Sequence, residues 1–317
     1  MQIRWLTFGA DPFERYNPFR PFVHWYNTRR MNKYVSRELK TRMANRTGSE
    51  SVQTAKRTRT VIDLALDAYV TESRGEQTNQ GMDSTFQKFA MSQIKLFLFS
   101  GHDTTSSSVC YLFYVLSANP TALSRVRTEH DEVFGSDLDE TPSVVTQNPF
   151  LLNQLPYTLA VIKETLRMYP AVSSTRAGEP GFDVTDDQGH RFPTDGFLVW
   201  ANSQTVHRDP AYWPQPDEFI PERWLVPPRD PLHPMKGAWR PFEYGPRNCI
   251  GQELAMVEMK IIMVMTLRRF QIMPVYEELD RHKPSRKVRT VYGERGYQIQ
   301  RAQPSDDLPC RVDKADR

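Results

Sequence analysis

The stretch Phe242–Gln252 reads FEYGPRNCIGQ and places a single cysteine, Cys249, between two glycines. Such a thiol could act as a nucleophile, but this needs a base and no histidine is close in the sequence. A structural zinc site needs about four ligands at short spacings, and the chain has only 3 cysteines, none in a CxxC pair. Scattered cysteines without a secretory leader do not indicate a disulfide framework. Two interpretations remain open: the single thiolate ligand of a haem iron, or an ordinary buried cysteine.

A second unusual stretch is SGHDTTSS, which lies inside the longest periodic segment of the chain. Gly, Asp, Ser and Thr disfavour helix interiors, and a glycine allows a bulky group to approach the backbone. Asp103 and Thr104 are adjacent, so they point about 100° apart on a helix. One could carry protons from solvent while the other faces a pocket. The alternative is a helix bent by Ser and Thr side chains that bond to its carbonyls.

The third stretch is KETLRMYP, in which Glu164 and Arg167 stand three residues apart on a helix face. An exposed pair of this kind is common and contributes only a few tenths of a kcal/mol. The later stretch PERW favours a structural role for this pair, because Arg223 there could share the carboxylate of Glu164.

Helical periodicity dominates the chain on both sides of a proline-rich region. The predicted helices are Asn32–Arg42, Thr60–Thr71, Ser84–Ala118, Thr121–Phe134, Leu155–Met168 and Gln252–Phe270. More than half of the 24 prolines lie between Pro170 and Pro246, where Phe197–Ala201 is a strand candidate. A hairpin is predicted over VRTVY, GERG and YQIQ. We therefore expect one mainly helical domain over residues 1–302 and a disordered tail over 303–317.

Composition limits the function classes. Hydrophobic residues make up 39% of 317, and the net charge of +3 does not indicate a nucleic-acid partner. Between Arg20 and Arg59, basic residues far outnumber the acidic ones, and Phe22, Trp25, Tyr26 and Tyr34 are interleaved with them. This segment is either a solvated helix face or a helix that rests on an anionic membrane surface. No apolar run reaches the ~18 residues of a membrane span.

Taken together and in this order, these stretches resemble the cytochrome P450 family. The haem signature F-x-x-G-x-R-x-C-x-G is met at Phe242, Gly245, Arg247, Cys249 and Gly251. The long-helix motif is met by Gly101, Asp103, Thr104 and Thr105, the E-x-x-R motif by Glu164 and Arg167, and the P-E-R motif by Pro221, Glu222 and Arg223. The sequences GHDTTSS and GPRNCIGQ resemble those of fungal family members that act on secondary metabolites. The resemblance implies a mainly α fold with small β-sheets.

The resemblance also implies roles for these residues. Cys249 would be the metal ligand of haem b, and Phe242, Gly245 and Gly251 would surround the cofactor. Arg247 and Arg176, nine residues after Arg167, would face the haem propionates.

Further roles follow from the same resemblance. Thr104 would hydrogen-bond bound oxygen, and Asp103 would feed protons to it. The residues Glu164, Arg167 and Arg223 would form a buried structural network. Substrate walls are expected from Phe97, Ser100, Val172–Thr175 and the Gly293–Gly296 turn.

Three functions stay open on this basis. The first is a monooxygenase that acts on a small apolar substrate and consumes O2. Its electrons would come from NADPH–cytochrome P450 reductase or a similar donor, at the endoplasmic reticulum membrane. The second is a haem-thiolate isomerase or dehydratase, against which the intact Asp103 and Thr104 argue. The third is a non-catalytic remnant, because we expect the chain to lack the N-terminal part of the family's pattern, with its membrane anchor and a haem-flanking helix.

Overall fold

The computed structural model describes residues 19–47, 60–73, 83–282, 290–296 and 304–315. Helices predominate in these residues. The α-helices are α1 (Arg20–Thr47), α2 (Val61–Ser73), α3 (Ser84–Ala118), α4 (Pro120–Phe134), α5 (Thr141–Gln147), α6 (Pro156–Met168), α7 (Ser203–His207), α8 (Gln252–Thr266) and α9 (Tyr276–His282). Short 3-10 helices span Pro149–Gln154, Pro221–Trp224 and Ser305–Asp307.

The strands form three small antiparallel sheets of two strands each. The strands are β1 (Ser174–Ala177), β2 (Asp183–Thr185), β3 (Arg191–Pro193), β4 (Leu198–Ala201), β5 (Phe270–Pro274) and β6 (Cys310–Lys314). The pairs are β1 with β4, β2 with β3, and β5 with β6.

The chain divides into two compact units, Met1–Ser100 and Gly101–Arg317. In the first unit, α1, α2 and the start of α3 enclose a small core of Val35, Leu39, Leu66 and Ala90. Asp83 caps α3, because its carboxylate accepts the backbone N–H groups of residues 85 and 86 at 3.1 Å. These backbone hydrogen bonds lower the pKa of Asp83.

In the second unit, α4, α6, α8 and the last part of α3 surround the largest core. Val126, Val161, Met259 and Met263 are all buried there. Because these apolar residues recur at spacings of three and four on each helix, one face of each helix enters the core. The packed helices hold the loops that carry the candidate site.

The predicted helices are confirmed with small shifts at their ends, and α1 begins at Arg20 instead of Asn32. Helix α8, which was predicted to reach Phe270, ends at Thr266, and Phe270 begins β5. The predicted strand is confirmed as β4. In the hairpin, a bridge joins Val291 and Glu294, whereas the arm YQIQ lies outside the described residues.

The prediction of a disordered tail from residue 303 is wrong for residues 310–314. They form β6, which pairs with β5 from Phe270↔Lys314 to Pro274↔Cys310. A backbone ladder to a strand about 40 residues earlier is a non-local interaction, which a local polar composition does not reveal. Among the described residues, no helix combines the length and the apolar character that crossing a membrane requires.

Candidate active site

The cysteine loop is the segment 242–251, which enters α8. Its ends are tied together, because the backbone N–H of Cys249 donates to the carbonyl oxygen of Phe242 at 2.9 Å. Gly245 has a φ of 92°, a left-handed conformation that a side chain rarely adopts, and a Cβ there would meet nothing within 4 Å. The loop therefore needs Gly245 for its backbone conformation.

The thiol of Cys249 is free and exposed. Helix α8 begins at Gln252, just after the cysteine, so the positive end of the helix dipole lies beside the sulfur. Gly251 precedes α8, and a Cβ at this position would lie 3.8 Å from the Cys249 Sγ, an ordinary contact distance. In the described part of the chain, no group of three His, Cys, Asp or Glu residues could hold a metal ion.

The surface around the thiol suits a flat, largely apolar group that carries carboxylates. Ile250 is 87% exposed, and Leu254 and Val257 on α8 are also exposed apolar residues. Such apolar exposure next to a single free thiol suits a haem, whose iron can take one sulfur ligand from a cysteine. Arg247 in the loop is exposed, and its guanidinium could pair with a carboxylate. The residues present thus fit a haem.

Arg176, the second arginine predicted to face a propionate, lies on β1 and is exposed. Its Nη1 donates to the carbonyl oxygen of Thr175 at 2.9 Å. The predicted substrate-wall residues Val172, Phe97 and Ser100 are exposed as well. Phe97 and Ser100 belong to the first unit, whereas Val172 belongs to the second.

An open cavity of 510 Å³ lies beside the cysteine loop. Its lining includes Trp224, Trp239, Phe242 and Gly245, but not Cys249. The ammonium of Lys163 sits 5.4 Å and 5.9 Å from the centroids of the two indole rings, and burial lowers its pKa.

The structure brings Glu164, Arg167 and Arg223 together in one buried network, and all three are 0% exposed. The carboxylate accepts from Arg167 Nε at 3.0 Å and Nη2 at 2.8 Å, and from Arg223 Nε at 3.0 Å. Trp224 Nε1 and the backbone N–H of Ile220 also donate to it, at 3.0 and 3.1 Å. Two arginines and two neutral donors thus share one carboxylate.

Other N–H groups of the two arginines donate to backbone carbonyl oxygens. Arg167 donates to the carbonyl oxygens of His207, Pro216 and Glu218 at 2.6–2.9 Å. Arg223 donates to the carbonyl oxygen of Pro214 at 3.2 Å. Each of these charges therefore contacts backbone carbonyls as well as the carboxylate.

Sequence analysis missed His207 and Trp224, which contact this network. His207 is completely buried, and burial lowers its pKa to about 3. Neither residue has a spacing pattern that points to the network, because their partners are distant in the sequence. The histidine lies 40 residues after its partner Arg167, and the indole 60 residues after Glu164.

Asp103 and Thr104 occupy successive positions of α3 and are both half-buried. The hydroxyls of Ser106 and Ser108 bond to their carbonyl oxygens, at 3.0 and 2.9 Å. This is the back-bonding that the sequence offered as an alternative, but it is made by the serines that follow. A Cβ at Gly101 would meet nothing within 4 Å, so neighbouring atoms do not require a glycine there.

The helical fold, the cysteine loop and the buried network define a haem-thiolate class of protein. The chain belongs to the cytochrome P450 family, whose model, described as Cytochrome P450, matches residues 5–301. Membership implies a haem-iron cofactor, and monooxygenases of the family use redox partners and O2 in general.

Among curated proteins, the chain is similar to the cytochrome P450 monooxygenase polC of Polytolypa hystricis, with 46% identity over 316 residues. This match covers 98% of the chain and 56% of the relative. The chain is also 34% identical to the cytochrome P450 monooxygenase acrF of Aspergillus aculeatus, over 93% of the chain and 62% of the relative. The chain therefore spans a little over half the length of these relatives.

Among solved structures, the crystal structure of a cytochrome P450 (CYP102L1) matches with a TM-score of 0.64 and 21% identity. The match covers 96% of the chain and 60% of that structure. The chain has the cytochrome P450 fold over the region that it spans.

Proposed function

We propose that this chain forms the haem-thiolate part of a monooxygenase that inserts one atom of O2 into an apolar organic substrate. The observation that carries the proposal is the free, exposed thiol of Cys249, at the end of a loop closed onto Phe242 and at the start of α8. The similar proteins polC and acrF are named as monooxygenases and come from fungi, which supports a secondary metabolite as the substrate class. The electron donor we propose is NADPH–cytochrome P450 reductase or a similar protein.

The cysteine loop would hold haem b through the thiolate of Cys249. When bound, the haem would supply the activation of oxygen. A thiolate ligand promotes this chemistry because it donates electron density. The N-terminal end of α8 moderates the negative charge on the sulfur. The guanidinium of Arg247 would pair with one haem carboxylate and that of Arg176 with the other. Phe242 would shield the sulfur from water.

Asp103 and Thr104 would move the protons that the reaction consumes. Adjacent positions on α3 point in different directions, so the Asp103 carboxylate would exchange protons with solvent while the Thr104 hydroxyl would face the reacting oxygen. Thr104 Oγ1 would hold the proton and Asp103 would replace it. Within the second unit, Val172–Thr175 and the turn 293–296 would line the space for the substrate.

The proposal is tested by replacing Cys249. The purified chain should bind haem and, when reduced with CO present, show the red-shifted Soret band of a thiolate ligand. Cys249→Ala should abolish this band, whereas the control Cys310→Ala, which changes another exposed cysteine, should keep it. A Cys249→Ala protein that keeps the band would remove the thiolate assignment.

Turnover then distinguishes the monooxygenase from the two alternatives. A monooxygenase requires NADPH and a reductase, and it incorporates one labelled oxygen atom from 18O2 into its product. A haem-thiolate isomerase or dehydratase would turn over without external electrons. A chain that takes up no haem would support the non-catalytic remnant.

The chain would work on the cytoplasmic face of the endoplasmic reticulum membrane, with α1 against the lipid surface. Residues 22, 26, 29, 33, 37 and 40 recur at spacings of three and four, and all are exposed aromatic or basic residues. Arg29 lies 5.6 Å from the ring centroid of Trp25, and Arg30 lies 5.7 Å from that of Tyr26. Since these aromatics are exposed rather than packed inward, they support the interpretation of α1 as a membrane-surface helix.

A further inference from the structure

His207, the last residue of α7, uses both nitrogens of a completely buried imidazole ring. Nδ1 lies 2.9 Å from the carbonyl oxygen of Arg167, and Nε2 lies 2.8 Å from the backbone nitrogen of Arg240. A ring nitrogen that faces a carbonyl oxygen must carry a proton, and one that faces an N–H must not. The two partners therefore select one neutral tautomer, with its proton on Nδ1.

The first partner belongs to the buried network. Arg167 pairs with Glu164, and its Nη1 also donates to the carbonyl oxygen of His207 at 2.8 Å. The histidine and the arginine therefore hold each other through two hydrogen bonds in opposite directions. These two hydrogen bonds fix the ring relative to the buried network on the C-terminal half of α6.

The second partner, Arg240, lies two residues before the cysteine loop. Arg240 is followed by Pro241, which has no N–H, and then by Phe242, whose carbonyl oxygen accepts the N–H of Cys249 at 2.9 Å. The N–H of Arg240 is thus the last backbone donor before the loop. An acceptor that fixes this N–H also fixes the point from which the loop starts.

Two other side chains hold the same segment. Trp239 Nε1 donates to the carbonyl oxygen of Lys163 at 3.1 Å, and the Ser203 hydroxyl donates to the carbonyl oxygen of Arg240 at 3.1 Å. Ser203 and His207 are the first and last residues of α7. The short helix therefore holds the Arg240 backbone at both its carbonyl and its N–H.

We propose that His207 is a positioning residue for the axial thiolate. Its imidazole joins the buried network to Arg240 and so fixes the start of the loop that presents Cys249. The link to a thiolate rests on the proposed function, whereas the hydrogen bond from Arg240 to the ring does not depend on a bound cofactor.

Two substitutions separate the contributions of the ring nitrogens. His207→Asn places an amide nitrogen near the Nδ1 position, so it keeps the donor to Arg167 but loses the acceptor for Arg240. His207→Gln can place its oxygen near the Nε2 position, so it keeps that acceptor and loses the donor. His130→Gln is the control, because His130 is another completely buried histidine of the same unit, bonded through Nε2 to Thr158.

The first measurement is amide hydrogen exchange at Arg240 in the 317-residue chain without added haem. In His207→Asn this amide should exchange about tenfold faster or more, because a buried donor loses its acceptor. In His207→Gln it should stay within about threefold of the original rate, and in the control it should not change. A 15N–15N coupling between Arg240 N and His207 Nε2 in the unsubstituted chain should report the bond directly.

The second measurement is the reduced CO spectrum of the haem-loaded protein. His207→Asn should lower the fraction with the red-shifted Soret band, and His207→Gln should restore most of it. A purely space-filling role would affect both variants alike.

Several results would overturn the inference. The inference fails if the 15N–15N coupling is absent, if the Arg240 amide exchanges at the same rate in both variants, or if His207→Asn keeps the full red-shifted Soret band. If His207→Asn does not fold, the coupling and the folded His207→Gln protein decide the question. If the unsubstituted chain shows no thiolate band, the proposed function fails, and the exchange and coupling results still test the hydrogen bond.

Discussion

Replacing Glu164 with alanine removes the one carboxylate that lies between two buried guanidinium groups. Five hydrogen bonds end on this carboxylate, two from Arg167, one from Arg223, one from the indole of Trp224 and one from the Ile220 backbone. Without it, both arginines stay buried and lose the negative charge that balances theirs, although their bonds to backbone carbonyls remain. Burial already lowers the pKa of Arg223, which shows that its charged form is poorly solvated there.

The expected loss is large relative to the stability of a protein. Removing one member of a buried ion pair costs ~3–5 kcal/mol. A folded protein has a free energy of unfolding of ~5–15 kcal/mol, so the loss takes a large share of it. At about 2–4 °C per kcal/mol for a large domain, the melting temperature should fall on the order of 10 °C. Arg167→Ala should cause a loss of similar size, because it leaves the carboxylate with a single arginine.

The assay is thermal melting of the purified variants, followed by measurement of their haem content. Glu132→Ala is the matched control, since Glu132 is an exposed glutamate on α4. Its effect should stay within about 0.5 kcal/mol. We expect the Glu164 and Arg167 variants to lose stability and haem together. Variants that keep normal stability and normal haem content, yet turn over poorly, would refute this reasoning and assign the two residues a catalytic role.

Three further predictions concern chemistry, membrane contact and pH. Thr104→Ala should uncouple NADPH consumption from product formation and raise hydrogen peroxide release, because the hydroxyl that holds the proton is lost. Reversing Arg29, Arg30 and Lys33 to Glu should abolish binding to anionic liposomes, since each basic residue near the surface contributes about 1 kcal/mol. Burial lowers the pKa of His130 from 6.5 to about 3, so the unfolded chain binds a proton there below about pH 6.5 while the folded chain does not. The melting temperature should therefore fall as the pH drops from 6.5 toward 3, and His130→Gln should reduce this slope.

Each of these predictions has a result that contradicts it. Unchanged coupling in Thr104→Ala, with Thr105→Ala as the control, would leave Thr104 a purely helical residue. Liposome binding that survives the charge reversal, or does not weaken with salt, would make α1 a solvated face. A melting temperature with the same pH slope in His130→Gln would show that other groups dominate the acid loss of stability.

Local patterns in the sequence predicted the helices well, because one face of each helix enters a core. The spacing of apolar residues over Pro156–Met168 is an example, and most of that helix is buried. The arginine partners of Glu164 were also predictable, since a paired motif limits which charges can meet inside a protein.

Other parts of the site could not be read from the sequence. His207 binds a backbone carbonyl and a backbone N–H, and backbone groups carry no residue-specific signal. The pairing of β6 with β5 depends on a ladder between segments far apart in the chain, and the tail itself is polar. The reason for Gly245 is a backbone φ of 92°, which is visible only in the folded loop.

Because β5 pairs with β6, residues 310–314 help to keep the protein soluble. If residues 303–317 were removed, β5 would keep a row of N–H and C=O groups with no partner strand, next to the exposed ring of Phe270. An uncovered edge of this kind recruits strands from other molecules. A shortened chain should therefore self-associate, even if every residue near Cys249 is intact.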